Sequence, residues 1–308
     1  MTGDKHRQPG DLDKHLATWR ADRVESSEVS TEHDVVTGEV RRRGVGGDFR
    51  YAVDENTDIA TTINQAIVDI DDEIGGKVLV PIGDFDVGEQ ILIPDNTDQN
   101  ENYKPWHLLG QGTAGDRFPP MGTTLRSTIS DGSDVIKDSV STHGTKVGGF
   151  AIIGNGSEGA AVNVSGQDQS IVKDITVFGT GGKAGVVSGN VDSLVCRGTD
   201  GANSHGWEIG GGRIIDIEAE RCDRALFVNR ADGLTMNGPN TEGADSNYGL
   251  FIDPNSYALD IRAGRFVDNN NWGVQIRAGR DVPQDAGVLR NILCNNNTEG
   301  GLLCRRTG

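Results

Sequence analysis

Aromatic residues are scarce in this chain, 5% of 308, and apolar residues as a whole reach only 35%. A helical bundle needs more of both, so that class is excluded. Lysine is nearly missing, with 8 against 21 arginines. Most of the acids are aspartate, and the formal charge is −17. Such a surface repels nucleic acid and anionic membranes, so neither is expected as a partner. There are only four cysteines, Cys196, Cys222, Cys294 and Cys304, with no C-x-x-C pair and no histidine cluster beside them. They are read as separate core thiols, and no metal or other cofactor is expected. No apolar run approaches the roughly 18 residues of a membrane-spanning helix. The opening "MTGDKHRQPGDLDKHL" lacks the apolar centre of a secretory signal. "RRRG" at Arg41–Gly44 is followed by "VGGDFRYAV", which makes a poor twin-arginine signal.

What the chain does have is glycine, 44 of them, and many short apolar runs between turn residues. Its length is ample for a large core. The acidity also has a physical reading. At molar salt the Debye length falls to about 3 Å, so dense carboxylates no longer repel one another. A high-salt habitat is expected, and the composition resembles haloarchaeal proteins and those of their viruses.

Residues 1–50 are polar and poor in large apolar side chains. One short helix, "DLDKHLATWRADRVE", would gather Leu12, Leu16 and Trp19 on one face. The segment reads as an arm that anchors the rest to a partner. From about residue 51 the character changes. "DIATTINQAIVDIDDEIGG" spaces Ile59, Ile63, Ala66, Ile67 and Ile70 as a helix stopped by Gly75-Gly76. "KVLVPIGDFDV", "QILIPDN", "WHLLGQG" and "GTTLRS" follow as short strands with turns between them.

The order helix, "GGKVLVPIGDFDV", "ILIPDN", "LLGQG", "GTTLR" resembles the N-terminal cap of the pectate-lyase-like superfamily. Phe85 stands where that pattern usually has tyrosine. The likeness covers roughly residues 55–130. It implies an all-β fold, a right-handed three-sheet parallel β-helix with an N-terminal capping helix. It says little about activity, because one fold hosts many functions.

Past Gly144 the chain repeats. One strand series reads "GFAIIG" (149–154), "DITVFG" (174–179), "SLVCRG" (193–198), "DIEAER" (216–221), "GLTMNG" (233–238), "DIRAGR" (260–265) and "NILCNN" (291–296). A second reads "AVNV", "GVVS", "GWEI", "ALFV", "GLFI", "GVQI" and "GLLC", beginning at 161, 185, 206, 225, 249, 273 and 301. The steps of the second series are 24, 21, 19, 24, 24 and 28, the periodicity of a solenoid. The expected plan is therefore an arm (1–50), a cap with the first coils (51–140) and further coils (141–308). Period-two alternation sends Phe150/Ile152, Ile175/Val177, Leu194/Cys196, Ile217/Ala219, Leu234/Met236, Ile261/Ala263 and Ile292/Cys294 inward. The triple asparagines Asn269, Asn270, Asn271 and Asn295, Asn296, Asn297 are expected to stack at a coil corner, 26 residues apart, with amide bonded to amide.

Outward positions hold the candidate chemistry. Glu218 and Glu220 share a face with Cβ atoms about 7 Å apart, near the spacing of an acid and a base in inverting glycosidases. Asp216 points the same way and His205 is expected nearby. Asp260, Arg262, Arg265 and Asp268 supply the residue types of a lyase, without that family's longer signatures. Ile153, Phe178 and Val195 form an outward apolar strip, read as a lateral contact between copies, a homotrimer by preference. The last coil, "GGLLCRRTG", is expected to leave an open edge.

Two functions fit. The first is a structural virion appendage, a spike, turret or fibre subunit resembling viral tailspikes and decoration proteins. It would be anchored to capsid or tail proteins by its arm and attached to a host-surface glycan or glycoprotein. The alternative is an extracellular polysaccharide lyase or glycoside hydrolase using Glu218 and Glu220.

Overall fold

The structure, a computed structural model, describes the backbone of 39–44 and 47–52 and residues 58–69, 76–94, 106–112, 122–139, 144–165, 170–199, 205–243, 248–278 and 287–306. The anchor residues Leu12, Leu16 and Trp19 lie outside the described residues, as do Ile70 and Gly75.

The chain is a parallel β-solenoid. Its strand pairings run along three ladders, visited in turn by each coil. The first ladder stacks Val78, Leu108, Val147, Val172, Val191, Ile214, Met236, Ile261 and Leu289. The second stacks Phe85, Leu125, Ile152, Val177, Cys196, Ala219, Thr241, Phe266 and Cys294. The third stacks Ile91, Ile136, Val162, Gly185, Trp207, Leu226, Leu250, Val274 and Leu302. Successive rungs lie about 4.8 Å apart, so each inward side chain touches its counterparts above and below. These columns are the core: nearly all of their members from Val78 to Val274 are buried.

The seven strands of the second sequence series all lie on the third ladder. The first series does not stay on one ladder. Its first four members, from 149–154 to 216–221, stack on the second ladder. "GLTMNG" pairs instead with Arg213–Ile215, on the first ladder, and the start of "DIRAGR" pairs with "GLTMNG" in turn. The second ladder continues through Asn240–Glu242, Arg265–Val267 and Leu293–Asn295. Ala263, expected inward, is an exposed corner residue, and Phe266 fills the bore in its coil.

The corners explain the difference. Between the first and second ladders the turning residues are Gly149, Asp174, Ser193, Asp216, Gly238, Ala263 and Asn291, all with φ between 50 and 78°. Left-handed backbone costs most residues roughly 1–2 kcal/mol, and Asn and Asp least among those with a Cβ. Glycine therefore does not mark each corner, and the turns are camouflaged.

The bore has one large inward residue in its middle. The Trp207 ring sits over Gly185, where a Cβ would come within 2.6 Å of the indole. Its Nε1 donates to the Glu218 carbonyl at 3.1 Å, so the buried ring leaves no orphaned donor. The helix Ile59–Val68 packs Ile59, Ile63, Ala66 and Ile67 against the first coil. Asp58 caps it, accepting from Ala60 N at 2.9 Å and, with its other oxygen, from Gly88 N at 2.7 Å. At the end of the segment read as an arm, Glu39–Gly44 and Gly47–Ala52 form an antiparallel hairpin that runs two residues beyond it, and Glu39–Gly44 pairs with Gly76–Leu79. At the other end of the bore Leu302 is 53% exposed.

Candidate functional site

On the outer face of the second ladder, alternation aims Val195 and Arg197, then Glu218 and Glu220, then Asn240 and Glu242, then Arg265 away from the bore. Register places Arg197 on Glu220 and Glu218 on Asn240. One guanidinium nitrogen, Arg197 Nη1, donates to Glu218 Oε1 at 3.0 Å and also to Glu220 Oε1. Asn240 Nδ2 donates to the same Glu218 oxygen at 3.2 Å. Arg265 Nη1 then bridges Asn240 Oδ1 at 3.2 Å and Glu242 Oε2 at 2.7 Å. The result is one continuous network over four rungs.

Its electrostatics follow from partial burial. Glu218 and Glu220 side chains are 28% and 27% exposed. Burial raises the Glu220 carboxyl above its ordinary value; Arg197 pulls it down, and Glu218 and Glu242 push it up again. Burial opposes the charge on Arg197, but Glu218 and Glu220 outweigh it and hold the guanidinium above its ordinary value. An acid–base pair must present one carboxyl and one carboxylate to a substrate. Here both groups share one arginine nitrogen.

The other candidates separate. Asp216 is a corner residue with φ 50°, and its Oδ1 lies over Gly238 of the next coil. His205 sits on the third ladder against Phe227, with ring centroids 5.0 Å apart. Asp260 and Arg262 pair with each other on the first ladder, Arg262 Nε to Asp260 Oδ1 at 2.9 Å. Arg265 belongs to the network above, and Asp268 is a corner that accepts from Asn296. The four lyase-type residues thus do not converge. Among the described residues no group of three or more His, Cys, Asp or Glu is placed to hold a metal ion.

Ile153 and Phe178 are register partners and half-buried, but Val195 aligns with Thr176, two positions away. The next residue in the Ile153–Phe178 column is Arg197. The two asparagine runs meet with an interval of 28, not 26, because Val267 pairs with Asn295. Asn297 Oδ1 accepts from Asn269 Nδ2 at 2.8 Å and from Asn269 N at 3.0 Å. Asn297 Nδ2 donates to the Phe266 carbonyl at 3.0 Å. Asn270 is exposed, and the Asn271 carbonyl accepts from Glu299 N at 3.0 Å. Cys196 and Cys222 are buried and not separate: their sulfurs lie 3.6 Å apart. Cys304 is exposed.

Sequence reasoning passed over the outer face of the third ladder. There Phe227 and Phe251 stand on neighbouring rungs with Arg224 and Arg277 over their rings. The signal was present in "RALFV" and "YGLFI", where alternation puts each phenylalanine outward one coil apart.

Fold and face together define a parallel β-solenoid with a charge-paired outer surface. No protein-family model matches the chain, and no curated protein sequence does. Similar solved structures include ORF18 of Geobacillus virus E2, with 14% identity over 83% of this chain and 60% of that one, at a TM-score of 0.46. Pre-mature gene product 12 of bacteriophage phi29 is 19% identical over 82% of this chain and 32% of that one, with a TM-score of 0.43. The A-module of the Azotobacter vinelandii mannuronan C-5 epimerase AlgE4 is 12% identical over 82% and 96%, with a TM-score of 0.32. This chain therefore spans about 60% and 32% of the two phage proteins. No helix among the described residues is long and apolar enough to cross a membrane.

Proposed function

We propose that this chain is a binding rather than a cleaving element: a stiff subunit of a virus-particle appendage that attaches to a host-surface glycan. The observation that carries this reading is the shared Arg197 nitrogen between Glu218 and Glu220. A bridged pair resists the proton exchange that hydrolysis requires, and it cross-links neighbouring coils instead. The N-terminal arm, residues 1–50, is proposed as the attachment to capsid or tail proteins. Lateral association, as a trimer by preference, is proposed along the face carrying Ile153 and Phe178. The acidic balance is proposed to suit high salt.

The test has two arms. In the first, wild type and Glu218→Gln/Glu220→Gln are incubated with candidate surface polysaccharides, and new chain ends are measured. No cleavage by either is expected; cleavage by wild type that the double substitution abolishes would establish the polysaccharide hydrolase or lyase alternative. In the second, purified particles are probed for the protein, and their adsorption to host cells is competed with the soluble chain. Absence from particles, or no competition, overturns the attachment reading.

A further inference from the structure

On the third ladder, alternation that turns Leu226, Leu250 and Val274 inward turns Phe227, Phe251 and Gln275 outward on successive rungs. Phe227 and Phe251 have ring centroids 5.5 Å apart at 59°, and Tyr248 meets Phe251 edge-on at 5.6 Å. Two guanidiniums lie on these rings. Arg224 is 4.9 Å from the Phe251 centroid and 5.5 Å from that of Phe227, and Arg277 is 4.9 Å from Phe251.

These arginines differ from those that form ion pairs. Arg126, Arg197, Arg262 and Arg265 are each paired with carboxylates. Arg224 and Arg277 meet no carboxylate among the described residues, although acids outnumber bases by 46 to 29 in the chain. A guanidinium stacked on an aromatic ring is held in place while its N–H donors stay free around its edge. The planar donor fork suits a carboxylate or sulfate. Arg277 is exposed, and Arg224, Phe227 and Tyr248 are half-buried.

Polar orphans cluster here as well. Gln275 is 1% exposed, and among the described residues neither its Oε1 nor Arg224 Nε has a hydrogen-bond partner. Buried polar groups are paired as a rule, so two orphans beside the same aromatic cluster mark a place built for a partner. The charges facing it are few: Lys183 is neutralised by Glu208, which also accepts from Asn229, and Asp223 adjoins Arg224. At physiological salt the Debye length is about 8 Å, so these local charges outweigh the distant excess of acid.

We propose that this face, centred on Arg224, Phe251 and Arg277, binds a negatively charged saccharide chain. The arginines grip its acidic groups, and the half-buried rings of Phe227 and Tyr248 offer apolar surface to a sugar ring. The inference rests on the attachment reading and supplies its ligand class.

The test titrates the full chain by calorimetry at 0.15 M salt with dextran sulfate, polygalacturonate and neutral dextran. Binding of an anionic probe at least tenfold tighter than dextran is expected, and the sulfated and carboxylated probes show which acid is read. Arg277→Ala, at an exposed position away from the bore, should weaken binding at least fivefold without moving the melting temperature. Arg126→Ala, on another face, should leave binding unchanged. Equal binding of dextran, equal loss with Arg126→Ala, or no binding of either anionic probe overturns the inference. If particles carry the protein and it competes for adsorption while no anionic probe binds, the site fails and the attachment reading survives. If the probes bind through Arg277 but particles lack the protein, the reverse holds.

Discussion

Replacing Arg197 by glutamine removes the one positive charge that Glu218 and Glu220 share, yet keeps most of the side chain's stem. Its size can be bounded from the geometry. A hydrogen bond to a charged group is worth about 1.5–3 kcal/mol when buried. A fully exposed ion pair is worth about 0–1 kcal/mol. With Glu218 and Glu220 little more than a quarter exposed, the loss falls between, about 1–2 kcal/mol at neutral pH. For a domain of this size that lowers the melting temperature by about 2–8 °C. The pH dependence is more telling than the size. Burial holds the Glu220 carboxyl above its ordinary value in the folded chain. Its contribution is thus fully favourable below the unfolded value of about 4.3 and is lost as pH rises through the folded value. Without Arg197 the folded value climbs further, so the loss widens toward neutral pH.

Melting curves of wild type and Arg197→Gln at pH 4 and pH 7.5, followed by circular dichroism, should therefore separate more at pH 7.5. The gap should close by about half or more at pH 4, where a protonated Glu220 carboxyl no longer needs the cation. Molar salt should narrow it at pH 7.5 as well. A gap equal at both pH values would refute the reasoning, because packing of the arginine stem would then account for it. New cleavage activity in Arg197→Gln would refute the binding reading itself.

Two further outcomes follow from buried polar groups. Burial first, then Arg224 and Lys183, lower His205 to about 4. Its neutral form is favoured in the fold, so stability is present above the unfolded value of about 6.5 and drains as pH falls through about 4. His205→Gln should flatten that acid limb, which is worth on the order of 3 kcal/mol, in denaturant titrations at pH 4, 5.5 and 7. Asn297→Ala removes the acceptor for two Asn269 donors and the donor to the Phe266 carbonyl. With Asn269 only 1% exposed, a loss of about 2 kcal/mol is expected by thermal melting, and Asn297→Asp, which keeps the acceptor, should lose less.

Why the coils were legible and their ladders only in part has a physical answer. Alternation reports whether a side chain faces the bore, and all three ladders share that bore. Leu194, Ile217 and Leu234 carry the same inward signal, although the first two lie on the second ladder and Leu234 leads into the first. What separates ladders is the corner, and corners at Asp174, Ser193 and Asp216 have no glycine to announce them. The third ladder escaped this confusion because small residues recur at its start: Ala184, Gly206, Ala225, Gly249, Gly273 and Gly301. A Cβ on Gly249 would come within 2.6 Å of Thr241 Oγ1 and 3.0 Å of Asn269 Nδ2, so the constraint that keeps the position small is also what made its period readable. The same logic governs the outer face. Glu218 and Glu220 were visible as a pair because two residues on one strand fix each other's direction. Their partner Arg197 comes from the coil before, 21 residues earlier, and only register could deliver it. Arg224 and Arg277 reach Phe251 from the coil on either side, so that cluster exists only once three rungs are aligned. In a solenoid, side-chain direction is written along a strand, whereas partnership is written across coils. A site made of cross-coil partners therefore stays hidden until the steps of 24 residues have been converted into rungs.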